Sequence, residues 1–146
     1  MNMKKFVLFI LLAAVAATAM TAAGRRGEWA AKMRETRHDF ILEKINITAE
    51  QKKEFMPLYE SMESEIYNVH KSARDQAKKV EAMTSPSDAD YQRAADALAN
   101  AKYLEGQIEK SYYEKYAKIL TKKQLFHLKQ AEIEFSRNMI QNKKKK

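Results

Sequence analysis

Apolar residues recur between positions 55 and 80 at three- and four-residue steps: Phe55, Leu58, Met62, Ile66, Val69, Ala73, Ala77 and Val80. That spacing places them on one face of a long amphipathic helix. The charges of the same segment are sorted, with Glu50, Glu54, Glu60, Glu63 and Glu65 in its first half and Lys71, Arg74, Lys78 and Lys79 in its second, the order a helix dipole prefers. A second stripe follows: Tyr91, Ala94, Leu98, Ala101, Leu104, Ile108, Tyr112, Tyr116 and Ile119. Between the two, Thr84-Ser85-Pro86-Ser87-Asp88 reads as a turn that also starts the next helix, with Ser85 as N-cap, Pro86 at the first helical position and Asp88 at the third. Long segments of matched length joined by a short turn pack antiparallel. At 1.5 Å per residue each would reach about 50 Å, and a hairpin of that length needs terminal helices or a second subunit to bury both its faces.

The flanks supply those helices. Trp29, Met33, Phe40, Ile41 and Ile45 mark a first helix over residues 25–45, although Arg37 stands where its stripe calls for an apolar residue. A fourth helix begins after Thr121. Two interior residues disturb the rods: Pro57 should kink the second helix, and Gly106 weakens the third by roughly 1 kcal/mol relative to Ala. The expected fold class is all-α, four helices built on an antiparallel hairpin.

Composition narrows the chemistry. Three Gly and two Pro in 146 residues are too few for the turns of a β-sandwich or barrel, and the absence of Cys excludes disulfides, zinc-thiolate sites, iron–sulfur clusters and a cysteine nucleophile. Lys4 and Lys5, the apolar run 6–17 and the small residues of Ala17-Thr18-Ala19 or Thr21-Ala22-Ala23 have the three-part form of a cleaved signal peptide, 1–23, with cleavage after about Ala19 or Ala23. The apolar run is short for a bilayer span, which wants about 20 residues. Export changes what the charge means. Removing residues 1–23 lowers the net charge from +8 to +6, and the tail 143–146 carries four of those positive charges, so the helical domain 24–142 is close to balanced. An exported, nearly balanced domain with no RNA-binding motif gives no reason to expect a nucleic-acid partner.

The informative feature is a repeat. Ile47-Thr48-Ala49-Glu50-Gln51 and Leu120-Thr121-Lys122-Lys123-Gln124 both read aliphatic-Thr-x-x-Gln, each where a helix begins. The pattern is that of a capping box, in which Thr accepts from the N–H three residues on and Gln reaches back to the N–H of the Thr. In the second copy Leu120 and Leu125 also complete a hydrophobic staple, whereas Lys52 occupies the corresponding place in the first.

With these two motifs the chain resembles the Spy/CpxP family of small periplasmic proteins, over about residues 40–135. The residues that carry the resemblance are Ile47, Thr48 and Gln51, and Leu120, Thr121 and Gln124; Ile47 departs from the family's Leu, and Phe55-Met56-Pro57-Leu58-Tyr59 is similar to a family variant with an aromatic-x-Pro-Leu-Tyr segment. The resemblance implies an elongated, hooked hairpin that pairs into a homodimer. It also implies a periplasmic, ATP-independent chaperone for unfolded or stress-damaged proteins or, alternatively, an envelope-stress or metal-responsive regulator that binds the sensor domain of a membrane signalling protein. The motif residues are expected to act as structural caps.

Arg34, Arg37 and Met56 are the candidate client-binding residues: the basic N-terminal segment can steer acidic chains, and Met56 lies off the buried stripe with a flexible, polarizable side chain. No catalytic, cofactor or metal set is expected. Glu35-Thr36-Arg37-His38 has the Glu-x-x-His spacing of carboxylate-bridged metal sites but lacks the second copy they need, and His70 and His127 lie on different helices. Tyr91, Tyr112 and Tyr116 fall on the buried stripe of the third helix and are expected to pack there.

Overall fold

The computed structural model describes the backbone of residues 3–144 and the side chains of residues 24–141; the side chains of the signal-peptide segment and of the basic tail lie outside the described residues. The described residues form an all-α fold of four helices: α1, Met3–Ile45; α2, Ala49–Glu81; α3, Asp88–Tyr116; and α4, Lys122–Lys144. The chain divides into two compact units, residues 45–130 and residues 1–44 with 131–146. Among the described residues no helix is long and apolar enough to cross a membrane.

In the unit 45–130, α2 and α3 run antiparallel side by side. Phe55 near the start of α2 meets Tyr116 at the end of α3, Glu65 meets Tyr112, and His70 meets Glu105. The stripe read from α2 faces this partner: Phe55, Met62, Ala73 and Val80 are buried, and Leu58, Ile66, Val69 and Ala77 are half-buried beside them. Tyr59, which the three-and-four count passes over in favour of Leu58, is fully buried. α2 is continuous from Ala49 to Glu81, and the Ser61 hydroxyl donates to the Pro57 carbonyl at 2.8 Å.

On α3 the buried line is Ala94, Ala101, Tyr112 and Tyr116. Tyr91 and Leu98 are exposed, contrary to the reading of one continuous stripe. At 100° per residue Leu98 sits about 60° round the helix from Ala101, and Tyr91 about 80°, so both flank the contact line. The helix also starts later than expected. Ser87, not Ser85, is the N-cap: its hydroxyl accepts from the N–H of Asp90 at 3.3 Å, and the Asp90 carboxylate accepts from the Ser87 N–H at 2.9 Å. The Ser87–Asp90 box satisfies donors at both positions, and Arg93 pairs with the same carboxylate, which leaves Pro86 outside the helix. Those contacts hold the Asp90 carboxyl below its ordinary pKa, the Ser87 hydrogen bonds first among the causes.

In the other unit, Phe40 on α1 packs against Phe135 on α4 with ring centres 5.7 Å apart, and Lys44 pairs with Glu134 at 3.0 Å while lying over the Phe40 ring. Ile41 and Ala131 are buried.

Candidate functional site

α1 ends by turning through Asn46, whose φ of 48° is left-handed, a conformation Asn adopts more readily than most residues. Ile47 and Thr48 follow, and α2 starts. Thr48 has the extended backbone of an N-cap; its hydroxyl accepts from the Gln51 N–H at 3.2 Å, and its own N–H donates to Gln51 Oε1 at 3.2 Å. The second motif has the same geometry: Thr121 accepts from the Gln124 N–H at 3.2 Å and donates to Gln124 Oε1 at 2.9 Å. Leu120 ahead of this cap is buried.

The structure brings the two boxes together. Gln51 Nε2 donates to Gln124 Oε1 at 3.0 Å, and Gln124 Nε2 donates to Gln51 Oε1 at 2.9 Å. Each amide then uses its second N–H on the carbonyl two residues ahead of the other motif's Thr: Gln51 on Ile119 at 2.9 Å, Gln124 on Asn46 at 3.3 Å. Both side-chain amides thereby fill two donor and two acceptor positions, the full capacity of the group. The result is a closed, uncharged clasp with local two-fold character. It fastens the start of α2 to the start of α4 and to the turn leaving α3.

Beside the clasp lies an aromatic core. Tyr116 is completely buried, with ring centres at 4.9 Å from Phe55, 6.1 Å from Tyr112, 5.8 Å from Tyr113 and 6.3 Å from Tyr59, spacings typical of aromatic pairs. Its hydroxyl donates to the Met62 sulfur at 3.4 Å. Tyr112 donates to the Glu65 carboxylate and carries Lys115 over its ring at 3.9 Å. The bond to Glu65, then burial, raise the Tyr112 phenol above its ordinary pKa. The periodicity marks Tyr112 and Tyr116 for burial, but nothing in the sequence pairs them with Phe55, Met62 and Glu65.

Farther along the hairpin, the His70 ring Nε2 lies 2.9 Å from Glu105 Oε2, and Lys102 donates to the same oxygen at 2.7 Å. Burial raises the Glu105 pKa, but the bonds from Lys102 and His70 outweigh it and hold the carboxyl below its ordinary value. The His127 ring lies beside that of Phe126, tilted at 59° with ring centres 5.7 Å apart. Among the described residues no group of three or more His, Asp and Glu side chains is placed to hold a metal ion.

The client-binding candidates fall in different units. Arg34 is exposed on α1 and Arg37, in the same unit, is half-buried and already engaged within the chain; Met56 is half-buried on α2 in the other unit. Of the three, Arg34 alone is exposed. Within α2 and α3, the exposed large apolar groups that the periodicity does not single out are Tyr67 and Tyr103.

No family model, no curated protein and no solved structure matches the chain.

Proposed function

We propose that this protein is an exported, ATP-independent chaperone of the Spy/CpxP kind, which holds unfolded or stress-damaged polypeptides in the periplasm as a homodimer and catalyses no reaction. The observation that carries the reading is the clasp. Two aliphatic-Thr-x-x-Gln motifs separated by 73 residues are bound to each other through Gln51 and Gln124, so the repeat is one structural device, as expected of a paired-motif family.

The hairpin supports the same reading. Two helices packed through a line that is partly alanine leave large apolar groups in contact with water: Tyr67 is 58 % exposed, Tyr91 56 % and Leu98 45 %. Scattered among cations such as Arg74 and Lys78, these groups suit adaptable contact with many sequences better than one tight partner. The N-terminal run 1–23 supplies the export signal and Lys4 and Lys5 its positive end.

The test is aggregation of a chemically denatured acidic protein, followed by light scattering with the purified protein present and no nucleotide. The expected result is suppression at near-stoichiometric amounts, weakened by salt. No suppression at any salt or pH would overturn the chaperone reading in favour of a regulator. Recovery of a single membrane sensor would then be the next result to seek.

A further inference from the structure

The distal half of the α2–α3 hairpin carries a trough of about 370 Å³. Its floor is apolar: Ala73 on α2 and Ala101 on α3 are buried where the helices meet, and half-buried Val69, Ala97 and Leu104 line it beside them. Its rim is polar. Asn68, Ser72 and Gln76 stand on α2 at four-residue intervals, and Asn100 stands opposite on α3. All four side chains are exposed and make no hydrogen bond within the described residues, unlike the amides of Gln51 and Gln124 in the clasp.

We infer that this trough binds the main chain of an extended polypeptide, with the amides of Asn68, Gln76 and Asn100 and the Ser72 hydroxyl hydrogen-bonding its peptide groups. A carboxamide presents one carbonyl and two N–H groups, the same donor and acceptor types as a peptide unit, so it pairs with main chain of any sequence. The spacing matches as well. Side chains four residues apart on a helix are about 6 Å apart along its axis, and an extended chain repeats every two residues at about 6.6 Å. Across Asn68, Ser72 and Gln76 the two rulers drift by about 1.2 Å, within the reach of the side chains. The alanines of the floor let a backbone approach closely, and no charge on the rim selects one sign of side chain. Such a site takes unfolded chains and rejects folded ones, whose peptide groups are already paired.

The inference rests on the chaperone reading and names how a client is held. Its test uses the full expressed protein and a fluorescently labelled, unstructured 15-residue peptide, followed by anisotropy. A second peptide of identical side chains is N-methylated at alternate residues, which removes those main-chain donors and puts a methyl group in the place of each. The N-methylated peptide is expected to bind at least five-fold more weakly. Asn68→Ala, Gln76→Ala and Asn100→Ala should each weaken the unmodified peptide about three- to ten-fold, the range of one hydrogen bond, and should do little to the methylated one. Thermal melts of these variants, all changed at exposed helix positions, check that the fold is kept. Equal binding of both peptides, or variants that bind like the parent, would overturn the trough while leaving aggregation suppression intact. Failure of both peptides to bind, together with no suppression of aggregation, would instead overturn the chaperone reading.

Discussion

The two ends of the α2–α3 hairpin are built differently. At the base, Phe55, Tyr59, Met62, Tyr112 and Tyr116 fill the space between the helices, and the Gln51–Gln124 clasp closes it. At the distal end the contact line is Ala73, Val80, Ala94 and Ala101. Burial of apolar area scales at about 25 cal/mol per Å², and an aromatic side chain buries several times the area of a methyl group. The base is therefore where the hairpin is chiefly held, and the distal half is joined through a small-residue line with exposed polar side chains beside it. One helix pair thus combines an aromatic base with a small-residue distal seam.

The difference makes graded predictions. Tyr116→Ala removes the centre of the aromatic core and its hydroxyl's bond to Met62, and should cost about 4 kcal/mol, close to the whole stability of a domain this small. Ala101→Gly, at the corresponding place in the distal half, should cost only about 1 kcal/mol. Chemical denaturation of the two variants checks this, and equal losses would erase the distinction between the ends. Gln51→Ala and Gln124→Ala should each cost about 2 kcal/mol, because each strands the other amide and a main-chain carbonyl. Since they share their bonds, the double variant should lose clearly less than the two losses combined. Strict additivity in that cycle would mean the amides do not act as a unit.

The caps are expected to contribute equally at both ends. Thr48→Ala, Thr121→Ala and Ser87→Ala should each lower stability by about 1 kcal/mol in thermal melts. A loss confined to the base caps would show that the distal helix start is held by something other than the Ser87–Asp90 box. The smallest effect is electrostatic. The Glu105 carboxyl sits below its unfolded value of 4.5, so its contribution is present above that pH and fades as the pH falls through the lower folded value. Stability of Glu105→Gln should accordingly fall less between pH 5 and the acid limit than that of the parent, to the extent of about one surface ion pair. Parallel acid profiles would remove His70, Lys102 and Glu105 from the account of what joins the helices.

Much of this architecture is legible in the chain. The stripe of α2 and both capping boxes can be read because they depend on neighbours three or four residues apart, where helical geometry fixes who meets whom. The clasp cannot be read that way. Its partners are 73 residues apart, and only the folded hairpin brings their amides into register. Tyr59 was hidden by Leu58, since two adjacent apolar residues satisfy the same period and the count takes one. The sequence places the start of α3 at Ser85 and the fold at Ser87 for a local reason: each serine stands three residues ahead of an Asp, and the cap falls to the box whose carboxylate also gains Arg93. Arg37 breaks the α1 stripe in sequence and is half-buried in the fold, so the interruption marks a polar group held within the chain more than an open binding arm.

The most direct measurement is amide hydrogen exchange of the protein with and without a denatured client. Client is expected to slow exchange in residues 68–76 and 97–104, the two walls of the distal trough, and to leave the base around Phe55 and Tyr116 as it was. Client-induced protection confined to the base, or none anywhere along the hairpin, would contradict it.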